Sequence, residues 1–262
     1  MRPRDLPVDF ATPNAARLYD YFLGGASNSS IDRELAHRIS EAAPDTHGYV
    51  RSNRNFLRRA VRHMVGEGIT QFLDIGSGIP TLGNVHEVAR IVTPWVRVLY
   101  VDNNESAVNH SNTILNGDPN VLAVQADLRL PDHVLSKAAE FLDFSQPVGL
   151  LTVAVLHFIP DSDDPRALLA NYHSALPSGS CHALSHATGD FDAEQMAAAI
   201  AAYEKDNDRL ERVFARTREE VAALMGDDLE LVEPGVVPTE LWRPDGPRAS
   251  KSGAYAALAR KP

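Results

Sequence analysis

The 262-residue sequence predicts an α/β fold: a seven-stranded, mostly parallel, doubly wound sheet with an antiparallel terminal hairpin, preceded by an N-terminal helical cap. Three observations predict it. Five short apolar runs, at 71–76, 97–102, 121–126, 148–156 and 180–187, alternate with segments of helical periodicity, the pattern of a parallel sheet covered on both faces. Before residue 69 only helical patterns occur. The last two strand candidates, 229–233 and 253–260, are joined by a loop rich in proline and charge, Pro234 to Ser252, with no crossover helix, so they pair antiparallel at the sheet edge. The chain thus divides into a helical cap or lid, 1–68, and a sheet domain, 69–262.

The cap begins with an arm over residues 1–12. Thr12-Pro13 supplies an N-cap and a proline at the first helical position. Ala15, Leu18, Tyr19 and Phe22 then recur at helical spacing, and Gly24-Gly25 ends the helix. Ile31, Leu35 and Ile39 mark a second helix that stops before Pro44. A third runs from His47 to Val65, with Val50, Leu57, Val61 and Met64 inward. Between the strands, helices are predicted at 83–92, 104–115, 131–142, 163–175 and across 191–225. Within the last stretch the alanine-rich segment 197–202 suits a helix. Thr217 and Glu220 form a capping box for a helix through Leu224, and 191–214 predicts an extra helix over the substrate mouth.

Composition narrows the function classes. An apolar content of 44% is enough for a full core, and a net charge of −10 argues against a nucleic-acid binder. Cys181 is the one cysteine, which excludes an intrachain disulfide and a multi-cysteine metal site. Ten histidines are scattered without ligand spacing, so no metal is expected. No apolar run approaches the roughly 18–20 residues of a membrane span, and the polar N-terminus has no signal-peptide core. The expectation is a soluble cytoplasmic protein with a small-molecule substrate and neither nucleic acid nor membrane as partner. Oligomeric state is not readable from the sequence.

The chemistry concentrates at Gln71–Pro80, a buried strand running into the glycine turn Gly76-Ser77-Gly78. Glycines there let the backbone approach a ligand closely. The next apolar run ends at Asp102, where a carboxylate can accept from the paired hydroxyls of a ribose; the alternative is a helix cap. Together these residues indicate a nucleoside cofactor. A dinucleotide fits less well, because Thr81 stands where its fingerprint wants a third glycine or alanine, and Asp74 would lie close to a pyrophosphate. An NAD-dependent oxidoreductase therefore ranks below S-adenosylmethionine chemistry.

Several segments carry a family resemblance. Asn14 to Gly25, Asn53 to Ala60 and Phe72 to Thr81 resemble the actinobacterial S-adenosylmethionine-dependent methyltransferases of uncharacterised substrate. So do Tyr100 to Asn103, Gln125 to Arg129, Val155 to Asp161 and Leu184 to Thr188. The resemblance spans nearly the whole chain. It implies a class I methyltransferase fold, with 69–262 as a Rossmann-like domain, S-adenosylmethionine as cofactor and S-adenosylhomocysteine as product. It leaves the methyl acceptor open, at oxygen or nitrogen. A non-catalytic sensor that binds the cofactor would share the same pocket.

On that resemblance, Gly76 and Gly78 make room for the cofactor's methionine and ribose. Asp74, polar within an apolar strand, faces the amino group or else ties up backbone N–H groups of the turn. Asn103 meets the adenine edge, Asp127 accepts from the adenine amino group or caps the following turn, and Leu128 packs on the ring. Ala154 and Val155 line the cofactor. His157 and His186, at the ends of the fourth and fifth strands, are the catalytic candidates; each can accept a proton or simply cap a loop. Tyr21 and Asn28, flanking Gly24-Gly25, are the lid and substrate-binding candidates. Arg51, Arg54, Arg58 and Arg62 share a helical face that is either solvated and ion-paired or an anion-binding wall.

Overall fold

The structure, a computed structural model, describes residues 12–80, 83–205, 211–246 and 253–262. The predicted arm, save Thr12, and Thr81 lie outside them. Five parallel strands form the frame: β1 (Gln71–Ile75), β2 (Arg97–Asp102), β3 (Val121–Gln125), β4 (Gly149–Val153) and β5 (Cys181–Ala187). Three more, β6 (Glu230–Leu231), β7 (Val237–Pro238) and β8 (Ala254–Arg260), complete the sheet in the order β3-β2-β1-β4-β5-β8-β6, with β7 also on β8. β8 runs antiparallel to β5 and to both short strands, so the antiparallel edge is as expected. The sheet has eight strands rather than seven. The extra one is the two-residue β7, inside the proline-rich loop, where a proline and a single paired valine leave no apolar run to read.

Side chains alternate between the faces. Leu73, Ile75, Leu99, Val101 and Leu150 enter one core, while Phe72, Val98, Tyr100 and Leu151 enter the other. Every residue of β1 and β5 is buried, whereas the edge strand β3 alternates buried and exposed. Helices α4 (Val85–Arg90), α5 (Glu105–Leu115), α6 (Pro131–Ala139) and α7 (Pro165–Ala175) connect the strands, and α6 and α7 each begin on a proline that has no N–H to leave unsatisfied.

The N-terminal segment forms α1 (Ala15–Phe22), α2 (Ser30–Ala42) and α3 (Thr46–Gly66). The cap of α1 is Asn14 rather than Thr12: its side chain accepts from the Arg17 N–H, and its own N–H donates to Asp32 at 3.0 Å. Arg17 in turn donates to the fully buried Asp32 at 2.7 Å, tying α1 to α2. α3 behaves differently from the first two helices. Its Phe56, Ala60, Val61 and Met64 pack with Phe72 and Val98, so it covers the sheet while Val50 near its start joins Leu18, Phe22, Leu35 and Ile39 in a separate small core.

That small core is closed by Tyr203 of α8 (Ala193–Glu204). The extra helix expected over 191–214 ends at Glu204. Residues 211–217 are not helical, because Phe214 N–H donates to the His157 carbonyl at 2.7 Å and Arg216 N–H to the Ala187 carbonyl at 3.1 Å, drawing the chain along the strand ends. The Thr217–Glu220 capping box is present and starts α9 (Arg218–Leu224). Among the described residues no helix is long and apolar enough to cross a membrane.

Candidate functional site

A cleft of about 340 Å³ opens at the C-terminal ends of β1, β2 and β4, the edge where open α/β sheets take their ligands. Its floor is the turn after β1. Gly76 and Gly78 have φ of +71° and +62°, a left-handed conformation suited to glycine. A Cβ on Gly76 would stand 2.2 Å from Val155 Cγ2, and one on Gly78 would stand 3.4 Å from Ala16 Cβ on α1. The cap therefore lies directly over the glycine turn.

Asp102 braces this floor. Its Oδ2 accepts from the Gly78 N–H at 2.8 Å and its Oδ1 from the Asn104 N–H at 2.9 Å, while its side chain lines the cleft. Burial raises its pKa, against the pull of those two donors. The ribose-acceptor and backbone-bracing roles are compatible, because each carboxylate oxygen has a second lone pair. Asp74 is in another position. It is buried at the end of β1, lines the cleft and accepts no hydrogen bond from any described residue. Burial raises its pKa to about 7, with Arg54 pulling it down and Asp102 pushing it up.

The other cofactor candidates also gather here. Asn103, Asp127, Leu128, Ala154 and Val155 all line the cleft. Asp127 is engaged by Arg129, whose Nε and Nη2 donate at 3.0 and 2.5 Å, and those hydrogen bonds lower the carboxyl's pKa. Asn103 donates to Glu211 at 3.3 Å across the mouth. Ala154 is held at φ +59°, its N–H donating to Ser185 Oγ at 3.0 Å.

The histidine candidates separate. His157 lines the cleft; its Nδ1 is buried without a hydrogen-bond partner, and burial lowers its pKa to about 3. His186 is fully buried and does not line the cleft. Its Nδ1 donates to the Ala187 carbonyl and its Nε2 accepts from Arg216 Nη1, both at 2.8 Å. Both nitrogens are occupied, so His186 anchors Arg216 and is not available to a substrate. Arg216 then donates to the carbonyls of Leu156 and Ile159, fixing the loop that carries His157.

Tyr21 and Asn28 are absent from the cleft walls. Tyr21 turns toward α2 and its hydroxyl meets His37 at 3.2 Å, while Asn28 donates to Asp20 at 3.0 Å and to the Gly25 carbonyl at 2.9 Å. In place of Tyr21, α1 presents Tyr19 and Asp20 to the cleft, one residue being a rotation of about 100°, while Asn28 lies beyond the helix in the connection to α2. Asp20 keeps Oδ1 buried and unpartnered. The arginine face is likewise mixed: Arg51 is exposed, Arg62 pairs with Asp245, and Arg54 turns inward. Arg54 is buried against Asn84 at 3.3 Å with its Nε unpartnered, and its guanidinium lies 5.5 Å from the centre of the Tyr19 ring. Among the described residues no cluster of three potential metal ligands exists.

Comparison with known proteins shows the family and the fold. A family model described as S-adenosyl methyltransferase matches residues 2–262. The crystal structure of a DUF574 family protein from Streptomyces avermitilis is 36% identical, with a TM-score of 0.90 over 98% of this chain and 100% of that one. A structure described as a candidate methyltransferase from Thermobifida fusca is also 36% identical, with a TM-score of 0.89 over 97% of each chain. The N-methyltransferase NodS of Bradyrhizobium japonicum, in complex with S-adenosylhomocysteine, shares the fold at 13% identity and a TM-score of 0.50, over 88% of this chain and 97% of that one. No curated protein sequence matches.

Proposed function

This chain belongs to the S-adenosyl methyltransferase family, an S-adenosylmethionine-dependent enzyme family, and on that premise we propose that it methylates a small molecule at oxygen or nitrogen within the cleft beneath α1. When bound, S-adenosylmethionine supplies a methyl group made electrophilic by its sulfonium. The residues fit such a group. Asp74 is an unpartnered buried carboxylate suited to the ammonium of the methionine moiety, and Arg54, with an unpartnered Nε, suits its carboxylate. Gly76 and Gly78 leave the space that a side chain would fill. Asp102 faces the ribose hydroxyls, Asp127 and Asn103 the adenine edge, and Leu128, Ala154 and Val155 the remaining apolar surface.

The observation that carries this reading is the pairing of an orphaned acid and an inward-turned arginine above a glycine floor. Holding nucleophile, carbon and sulfur in line supplies much of the rate in methyl transfer, so the cap's task is orientation and exclusion of water. His157, kept neutral at the cleft wall, is the hydrogen-bond acceptor we assign for orienting a hydroxyl or amine nucleophile, whose proton leaves to water. A cytoplasmic site of action is part of the same reading, and an actinobacterial source accords with the Streptomyces and Thermobifida relatives.

Calorimetric titration with S-adenosylmethionine, S-adenosylhomocysteine and NAD tests the site. Micromolar binding of both sulfur nucleosides is expected, weakened by Asp102→Ala by about 1–3 kcal/mol through loss of a partly buried acceptor. Binding of NAD in preference to either would overturn the assignment.

A further inference from the structure

A second chamber of about 220 Å³ adjoins the cofactor cleft and shares with it the walls Ala15, Tyr19, Tyr49, His157 and Phe158. It lies between the N-terminal helices and α8. Leu18, Phe22 and Ile39 form one side, and Met196, Ala199, Ile200 and Tyr203 the other. Those four α8 residues stand at i, i+3, i+4 and i+7, so one helical face is devoted to the chamber. The alanine-rich composition of α8, read from the sequence only as helix-forming, gives that face its room: Ala199 leaves space that a larger side chain would take.

The lining is selective. Among the described residues no lysine or arginine faces the chamber, and its acids, Asp45 and Asp192, disfavour an anion. A phosphorylated or carboxylated acceptor has no cationic partner there among the described residues. Thr46, Thr188 and Gln195 add neutral polar groups around the chamber, and Tyr19, Tyr49 and His157 supply those at the shared wall. Tyr19 is fixed by Asn53, which donates to its hydroxyl at 2.8 Å, whereas the Tyr49 hydroxyl has no hydrogen bond among the described residues. An apolar cavity of about 150 Å³ already holds benzene, so 220 Å³ suits one to two rings.

We propose that this chamber is the methyl-acceptor site, and that the acceptor is a neutral, one- or two-ring apolar molecule presenting a hydroxyl toward Tyr49 and His157. This rests on the cofactor reading of the adjoining cleft. The hydroxyl oxygen forms a bond to the methyl carbon as the carbon–sulfur bond breaks. The electron pair of that bond stays on sulfur, leaving a neutral thioether, and the hydroxyl proton leaves to water, with the neutral His157 imidazole orienting the hydroxyl by a hydrogen bond.

The test uses the full chain, saturated with S-adenosylhomocysteine, and 2-naphthol as probe. Saturable uptake of 2-naphthol by calorimetry is expected, with 2-naphthyl phosphate binding at least tenfold more weakly. Ala199→Trp, and independently Ala199→Leu, should reduce 2-naphthol affinity at least tenfold and leave S-adenosylhomocysteine affinity within twofold. That unchanged affinity also certifies that each variant is folded. Absence of saturable 2-naphthol uptake, preference for the phosphate, or indifference to both substitutions while S-adenosylhomocysteine still binds would overturn the chamber assignment. Failure of S-adenosylhomocysteine to bind the unsubstituted chain would instead overturn the cofactor reading beneath it.

Discussion

Arg54 and Asp74 both line the cleft and Arg54 pulls down the pKa of Asp74, yet the two form no ion pair. Opposite charges left apart inside a protein are costly unless something lies between them. An amino acid's ammonium and carboxylate are such a bridge, with each charge set against its complement.

The pH dependence of binding follows from Asp74. Its pKa, about 7, lies above the ordinary carboxylate range because burial penalises the charge. The folded protein therefore retains a proton that the unfolded chain has lost, and the free protein loses stability as pH rises through that window. The cofactor's ammonium needs the ionised form. S-adenosylmethionine affinity should thus climb about tenfold per pH unit between roughly pH 5 and 7 and level off above. In Asp74→Asn the profile should be flat and the affinity low. A pH-independent affinity in the unsubstituted protein would remove Asp74 from the ammonium site.

Arg54 is tested by a ligand that lacks its partner. Arg54→Gln removes a charged donor, and loss of a hydrogen bond to a charged group costs roughly 1.5–3 kcal/mol, or about ten- to hundredfold in S-adenosylhomocysteine affinity. Methylthioadenosine carries the same nucleoside without the amino-acid end, and its affinity should stay within about twofold. Equal losses for both ligands would mean that Arg54 shapes the cleft as a whole and does not read the carboxylate.

How much of this was legible in the sequence depends on what carries each feature. The five parallel strands show because burial on both faces favours apolar runs, and β1 and β5 are buried throughout even though Gln71, Asp74, His182, Ser185 and His186 interrupt theirs. Asp102 and the glycine turn show because backbone geometry restricts which residues can stand there. β7 does not, because two residues in a proline-rich loop pair through the backbone alone. Arg54 was visible as one of four arginines on a helix, but periodicity cannot say which arginine turns inward when the helix both lines a cleft and covers a sheet. Proximity to Gly24-Gly25 does not place a side chain: the rotation of α1 brings Tyr19 and Asp20, not Tyr21, to the cleft, and Asn28 is taken up by Asp20 and the Gly25 carbonyl. His186 looked like His157 at a strand end, and only the side-chain network with Arg216 tells them apart.

The floor of the cleft should tolerate almost no addition. Gly76→Ala imposes a side chain at φ +71° and a Cβ 2.2 Å from Val155 Cγ2. We expect a loss of about 1–3 kcal/mol in stability by urea denaturation, together with loss of detectable cofactor binding. Adding Val155→Ala should recover only a small part of the stability, because Val155 Cβ would still stand 2.5 Å from the new Cβ and the strain is untouched. If the single variant bound S-adenosylhomocysteine normally, the glycine turn would not be in contact with the cofactor.

Ala154 offers the opposite experiment. A left-handed alanine costs roughly 1–2 kcal/mol relative to its preferred conformations, and glycine relieves that cost while adding freedom to the unfolded chain. Ala154→Gly should therefore stabilise the free protein by about 0.5–1 kcal/mol, read as a higher Tm. The strain is held in place from the cap side: Ser185, which accepts from the Ala154 N–H, donates to Asn53 Oδ1 on α3, and Asn53 donates to Tyr19 on α1. If the strained conformation preorganises the wall against which the cofactor packs, the more stable glycine variant should bind S-adenosylhomocysteine more weakly than the parent. A gain in stability with no loss of affinity would separate the two, and would leave the Ser185–Asn53–Tyr19 chain as a tie between cap and sheet alone.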